Sequence, residues 1–340
     1  MRFNFKIEFI RFLYQCMINY HSNNGEQRMK YRTLGRTGIE VSVASLGSGG
    51  PSKLGQNRNS TQEYQNRLLK KSLDLGINFF DTSPIYGESE SIIGTALNDT
   101  PRDKYVVCTK WSYERKSTRL KDDLVKSINR SLKKLKTDHI DVLLIHGLTP
   151  NSYELIYDEI YPQMMILKEV GKIRFIGFSE SFESDSTHEA ASIGLEQNPL
   201  EWDVIMLKYG ILNQTASKIV LPLAQEHNVG IINMAAVRIK LPSPLLLESL
   251  ILDWVNRGLV ARDSLDQKKP LDWLITTDTD SVIAAGYKFA IDHDAISTVL
   301  IGTGDIGHLE DNVKSIIGNS LPNDHKVRLV DLFGHISDYA

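Results

Sequence analysis

Cysteine is nearly absent from this chain, with two in 340 residues, Cys16 and Cys108. Two thiols exclude a disulfide framework, and no His/Cys/Asp cluster stands at metal-ligand spacing. Cys108, inside an apolar run, reads as a buried reduced thiol. Long hydrophobic runs are missing too. No stretch reaches the roughly 20 apolar residues of a spanning helix, and Lys6, Glu8 and Arg11 interrupt the Phe- and Ile-rich opening before it forms a secretory core. The expectation is a soluble, cytoplasmic protein with no membrane contact. Charge of one sign is not in excess, at 39 Lys and Arg against 42 Asp and Glu, so there is no footprint for nucleic acid. No G-x-G-x-x-G follows the first strand candidate, which argues against a Rossmann domain. GSGG at 47–50 lacks the Lys-Ser/Thr of a P-loop and reads as a flexible turn.

What is present is a rhythm. From residue 30 onward, short β-branched apolar runs alternate with longer segments of helical period. The strand candidates are 41–47, 78–83, 105–111, 142–147, 174–179, 204–210, 230–236 and 297–303. Runs apolar on both faces are what parallel strands covered by helices look like. In 119–136, Leu120, Leu124, Ile128, Leu132 and Leu135 fall on one stripe while the charges face out. Segments 62–75 and 152–170 read as helices ended by Gly76 and Gly171, and Asp305 reads as the cap of a helix through 317. Eight β-then-α units predict an α/β fold, a closed (β/α)8 TIM barrel filling residues 29–340 as one domain. Before its first strand, KYRTL-GRTG-IEVS predicts a β-hairpin closing the bottom of the barrel. The long excursion 237–282 belongs at the opposite, C-terminal face. Residues 1–28 read as an extension, poorly ordered or loosely docked, since Met29 opens a natural domain start.

In such a barrel the polar residues at the C-terminal strand ends converge. Asp81 ends the second strand, Tyr86 follows in its loop, Lys110 ends the third and His146 the fourth. Each has a plain alternative: Asp81 as a helix cap, Tyr86 as a loop aromatic, His146 as a satisfied strand-end histidine. Lys110 is harder to place so, because a lysine closing the run YVVCT is costly to bury without a partner. Together the four suit carbonyl reduction, which needs a proton donor at oxygen while hydride reaches carbon. A lysine about 4 Å from a tyrosine phenolate favours ionisation by about 4 kcal/mol at an effective dielectric near 20, or roughly 3 pKa units before desolvation takes some back. Asp81 would hold that ammonium, and His146 would bond the substrate oxygen or complete the proton path. Trp111 and Tyr113, directly after the lysine, read as walls of the substrate pocket, with rim packing as the alternative. No metal ligands are expected.

These residues also carry a family resemblance. LGINFFDTSPIYGESESIIGTAL, YVVCTK, TDHIDVLLIH and GKIRFIGFSE, in this order, resemble the signature motifs of the aldo-keto reductases, from about Lys30 to about residue 318. DTSPIYG, VIMLKYGILN and VLIGTGDIGHLEDN look most like the sugar-oxidising branch of L-galactose, D-arabinose and related aldose dehydrogenases. The resemblance implies NAD or NADP extended across the barrel mouth, a small carbonyl/alcohol substrate, and a tetrad mapping onto Asp81, Tyr86, Lys110 and His146 without substitution. On the cofactor side it implies Gly47, Ser179, Glu180 in place of the usual Asn, Met206 in place of Gln, Tyr209 stacked on nicotinamide, and Val237 ending an altered Ser-Pro-Leu. For the adenosine end it implies Gly302, Thr303, Gly304, His308, Asp311 and Asn312. That last loop holds no Lys or Arg to pair with a 2′-phosphate, and Asp305 opposes one, so the reading leans to NAD. A catalytically quiet regulatory or sensor subunit on the same barrel is the alternative reading.

Overall fold

The structure, a computed structural model, describes residues 28–113 and 119–338. The reading of 1–28 as a loosely docked extension falls, Arg28 apart, outside the described residues. Eight parallel strands close into a barrel: β3 (Ala44–Gly47), β4 (Phe79–Asp81), β5 (Val106–Trp111), β6 (Ile140–Leu148), β7 (Ile173–Glu180), β8 (Val204–Lys208), β9 (Gly230–Met234) and β10 (Ile296–Ile301), the last pairing back onto β3. Ahead of them, β1 (Tyr31–Thr33) and β2 (Glu40–Ser42) form the expected antiparallel hairpin. The expected strand 41–47 is thus two, divided at Val43 between the hairpin and the barrel.

Side-chain alternation sorts the barrel into an inside and an outside. Phe79, Val106, Cys108, Val142, Leu144, Val204, Met206, Ile232 and Leu300 fill the interior, and the hairpin adds Leu34 and Val41 to the same cluster. The Arg36 amide donates to Asn228 O just before β9, which fixes the hairpin on the N-terminal end. That end is therefore plugged by apolar side chains. The opposite end stays polar, and any site must lie there.

The helical shell comprises α1 (Gln62–Asp74), α2 (Ser89–Ala96), α3 (Leu120–Leu135), α4 (Pro150–Glu159), α5 (Tyr161–Glu169), α6 (Glu189–Gln197), α7 (Val220–Glu226), α8 (Pro244–Asn256), α9 (Val282–Asp292), α10 (Ile306–Ile317) and α11 (Asn323–Phe333). Helix α3 buries Leu124, Ile128 and Leu135 of its expected stripe. Gly76 and Gly171 follow α1 and α5 with φ of 87° and 74°, a conformation that costs glycine little. The single helix expected over 152–170 is two. Pro162, in the first turn of α5, has no N–H to continue the ladder of α4. The excursion after β9 folds as α8 and a short turn at Asp272–Leu274 before α9 returns along the barrel.

Barrel closure leaves no room at Gly177 of β7, where a β-carbon would sit 1.9 Å from Val204 O and 2.8 Å from Leu144 Cδ2. Since a backbone carbonyl cannot swing aside, Gly177→Ala is expected to destabilise the protein by about 3 kcal/mol. Urea unfolding measures this, and an unchanged midpoint would show that β7 and β8 spread freely.

Candidate active site

Strand parity builds the site. Asp81, Lys110 and His146 occupy inward positions near the upper ends of β4, β5 and β6, above Phe79, Cys108 and Leu144. Asp81 and Lys110 are buried at 3% and 1% exposure and form an ion pair, the ammonium donating to Asp81 Oδ1. A second donation, to Thr82 O at 2.9 Å, anchors the ammonium to the chain end of β4. Its Nζ lies 5.1 Å from the centroid of the Tyr86 ring. Tyr86 and His146 stand above this pair and reach the mouth: the phenol oxygen is 3.4 Å from His146 Nε2, and the two rings meet edge to face. A β-carbon on Gly49 would lie 2.7 Å from the Tyr86 ring, so the turn at 47–50 works as a seat for that ring.

The electrostatics follow from burial. Burial pulls the Lys110 ammonium down, but Asp81, Tyr86 and Cys108 together outweigh it and hold the group above its ordinary range. Burial raises the Asp81 carboxyl, and Lys110 opposes that shift. Tyr86 goes up rather than down: burial of the phenol is the larger effect, Lys110 lowers it, and Asp81 returns part of what Lys110 removes. The expectation that Lys110 would bring the tyrosine towards neutrality fails first because burial of the phenol outweighs the lysine, and then because Asp81 offsets part of the lysine's charge. His146 is held down to about 3, by burial first and then by Lys110. Its imidazole is neutral at pH 7.

Two hydroxyls escaped the sequence reading. Ser83 Oγ and Ser112 Oγ lie 3.2 and 3.1 Å from His146 Nδ1. Each stands two residues beyond a tetrad member, Ser83 after Asp81 and Ser112 after Lys110. The same period-2 parity that faces the tetrad inward would have marked both.

The same parity corrects several expectations. Trp111 follows an inward lysine, so its side chain turns outward; it is 2% exposed and packs in the outer apolar layer rather than walling a pocket. Tyr113 leans the same way, donating to Ser152 Oγ of α4 at 2.6 Å. Tyr209 follows the inward Lys208; it is 5% exposed and its ring stacks on Phe289 of α9 with centroids 5.6 Å apart, so it packs in the outer layer rather than standing at the mouth. Glu180 is paired with His188 at 2.7 Å and its side chain is sealed, so it does not replace the expected Asn. Met206 is 1% exposed inside the barrel. Val237 packs on α9, its Cγ1 filling the space a β-carbon would need at Gly286. Gly304 is pressed against Gly55, whose amide N is 2.4 Å from where a β-carbon would stand.

Other positions stay at the mouth. Ser179 Oγ accepts from Gly147 N at 3.0 Å, tying β7 to the end of β6 beside His146. The register pairs Ile301 with Leu46, which brings Gly302 beside Gly47, and no atom lies within 4 Å of a β-carbon built on Gly302. Thr303 Oγ1 accepts from Asp305 N at 3.0 Å. Asp305 Oδ1 caps α10 by accepting from His308 N at 3.0 Å, while His308 and Asp311 are exposed on the first turns and Asn312 is half-buried. Arg58, from the β3–α1 loop, lies 3.7 Å from Asp305. That cation is remote in sequence and could not be read from residues 302–312.

Because His146 is depressed when folded and ordinary when unfolded, the unfolded chain takes up its proton first as pH falls. Stability tied to this ring is therefore complete above about pH 6.5 and lost on the way down to pH 3. Between pH 7 and 5 the loss of stability is expected to be smaller in His146→Gln than in the unmodified chain, by roughly 1–2 kcal/mol after allowance for partial exposure. Urea midpoints at the two pH values test this, and equal losses in both proteins would refute the neutral buried ring.

Comparison with known proteins agrees with the barrel fold. The family model described as the aldo/keto reductase family matches residues 45–326. The chain is 28% identical over 306 residues to the L-galactose dehydrogenase of Arabidopsis thaliana, covering 85% of this chain and 88% of that one. It is also 28% identical to the NADH-specific methylglyoxal reductase of Escherichia coli, over 72% and 81% of the two chains. The solved aldo-keto reductase AKR11C1 from Bacillus halodurans, in its holo form, superposes with a TM-score of 0.68 at 24% identity, covering 92% of this chain and 98% of that one. With its family model spanning most of the barrel, this chain belongs to the aldo/keto reductase family.

Proposed function

We propose that the chain is an NAD(P)-dependent oxidoreductase that moves hydride between nicotinamide and a small carbonyl/alcohol substrate of the aldose class, with Tyr86 as general acid and base. The observation that carries the reading is the buried Asp81–Lys110 pair beneath a tyrosine hydroxyl that also meets a neutral histidine. Similarity to an L-galactose dehydrogenase along 85% of the chain supports the substrate class. Among the described residues, none of the helices is long and apolar enough to cross a membrane, and no group of His, Cys, Asp and Glu is placed to hold a metal.

The residues present fit a dinucleotide laid across the mouth. Gly302 lies beside Gly47 and leaves open space where a β-carbon would stand, so a planar ring can approach the backbone there closely. Gly47 and Ser179 would border the nicotinamide, and Gly302, Thr303, His308, Asp311 and Asn312 the adenosine end. The cofactor supplies or accepts hydride at the substrate carbon. Tyr86, kept protonated by burial, gives its proton to the carbonyl oxygen in reduction, and in oxidation its phenolate takes the alcohol proton while the Lys110 ammonium steadies the charge. Asp81 positions that ammonium. In the tautomer in which Ser83 and Ser112 donate to Nδ1, His146 carries its proton on Nε2 and would donate a hydrogen bond to the substrate oxygen, leaving the tyrosine hydroxyl for proton transfer.

Tyr86→Phe is expected to keep the fold and cofactor affinity while lowering turnover by at least about 10²-fold. Steady-state kinetics with a panel of aldoses and small aldehydes, alongside cofactor titration, measures both. Near-normal turnover would sink the assigned role.

Cofactor choice rests on α10. The Asp305 carboxylate occupies the helix N-terminus that a 2′-phosphate would seek, and the charge of Arg58 is directed to that carboxylate. A phosphate deprived of a charged hydrogen bond loses about ten- to hundredfold in affinity. NAD is therefore expected to bind at least as tightly as NADP, and Asp305→Arg to shift the ratio towards NADP by about tenfold. Fluorescence titration of both cofactors settles it; tenfold tighter NADP binding by the unmodified chain would mean that Arg58 leaves Asp305 for the phosphate.

A further inference from the structure

The loop between β3 and α1 is held more firmly than a connection requires. Its short helical turn, Lys53–Arg58, keeps Leu54 fully sealed at a φ of 56°, a conformation few residues other than glycine adopt. Gly55 follows at 83°, pressed against Gly304 in the loop before α10. Anchored at both points, the turn presents its next residue, Gln56, in one place.

Both polar atoms of the Gln56 side chain are engaged. Oε1 accepts from Glu88 N at 2.9 Å. Nε2 donates to Ser89 Oγ and Lys53 O, each at 2.9 Å, and to Tyr86 O at 3.2 Å. Two N–H groups shared among these acceptors leave no donor spare. The partners also fix which way the amide points, since a backbone N–H only donates and a carbonyl only accepts. Three of them, Tyr86, Glu88 and Ser89, follow one another in the β4–α2 connection. Ser89 is itself sealed, and its hydroxyl lies 2.9 Å from Tyr86 O and 3.1 Å from Ser48 O, beside the Gly49 seat of the tyrosine ring. Gly87 permits the close approach, because a β-carbon there would stand 2.5 Å from Gln56 Oε1.

Tyr86 needs such a tie more than the rest of the tetrad does. Asp81, Lys110 and His146 stand on strands, whereas Tyr86 lies in a loop that no ladder holds. Proton transfer requires its hydroxyl within hydrogen-bond reach of the substrate oxygen, and a displacement of about 1 Å costs about 10²-fold in rate.

We propose that Gln56 is a positioning residue for Tyr86, its carboxamide clamping the Tyr86–Ser89 backbone to the β3–α1 loop. Its effect on turnover rests on the role proposed above for Tyr86; the clamp itself does not.

The test uses the full chain with Gln56→Ala and the isosteric Gln56→Glu, which keeps the acceptor for Glu88 N but offers the two carbonyls no donor. Both variants are expected to lower kcat on the aldose panel by about 10- to 10²-fold while the Kd for NAD stays within about twofold. Hydrogen exchange of residues 86–89, followed by mass spectrometry, is expected to quicken by at least about tenfold in Gln56→Ala. In a Tyr86→Phe background neither substitution should cost more than about twofold in turnover, because the clamp then has no hydroxyl to place. If Tyr86→Phe alone keeps near-normal turnover, the role of the tyrosine fails, and faster exchange over 86–89 still upholds the clamp. Equal losses of turnover in both backgrounds would place the action of Gln56 elsewhere and overturn the proposal. So would unchanged exchange and turnover in both variants at unaltered melting temperatures.

Discussion

The buried ion pair between Asp81 and Lys110 is the constraint on which the mouth of this barrel depends. Both groups are almost sealed from water, where a lone charge would be untenable. Removing one partner from such a pair costs about 3–5 kcal/mol, because the remaining charge is left uncompensated. The pair therefore constrains neighbouring strands. Asp81 fixes the end of β4, Lys110 the end of β5, and the Thr82 carbonyl accepts a second N–H of the ammonium. Tyr86 and His146 then stand on a charged floor with a defined position; burial opposes the effect of Lys110 on the phenol and reinforces it on the imidazole. An apolar floor would pack as well but would place no charge beneath the phenol.

Most of the barrel was legible because its physics is local. Strands that bury both faces must be continuously apolar, and helices that bury one face must repeat at the helical period. Both signatures survive in a single sequence, so eight strands, the hairpin and the α10 cap emerge close to where the structure has them. Boundaries were less legible where one residue does two jobs. Val43 joins hairpin to barrel without a polar break, and Pro162 divides a continuous apolar stripe into α4 and α5. Neither break changes the hydrophobic pattern.

At the mouth two of the errors share one cause. Trp111 and Tyr209 each sit directly after a lysine at a strand end; position suggested a pocket wall for the first, and the family resemblance a nicotinamide contact for the second. A strand cannot face two consecutive side chains inward. Once Lys110 and Lys208 point into the barrel, their aromatic neighbours must go to the helical layer, where Trp111 and Tyr209 contribute apolar area instead. Parity also explains what was overlooked, since Ser83 and Ser112 occupy the inward phase. Long-range contacts such as Arg58 with Asp305, or Glu180 with His188, have no local signature at all; closure of the fold brings them together.

The direction of the Tyr86 shift bears on how such a site works. A lysine placed near a tyrosine is commonly taken to ready it as a base, yet here the net effect of burial, Lys110 and Asp81 is a phenol that holds its proton. That suits an acid waiting for a developing alkoxide. A carbonyl oxygen gaining negative charge becomes a far stronger base than the ground-state carbonyl, so the proton can stay on the phenol until hydride arrives. In the proposed reduction the phenolate then formed would lie over the Lys110 ammonium, whose field favours it more than it favours the neutral phenol. Placed this way, the ion pair contributes little to the resting tyrosine and most to the state in which its proton is leaving.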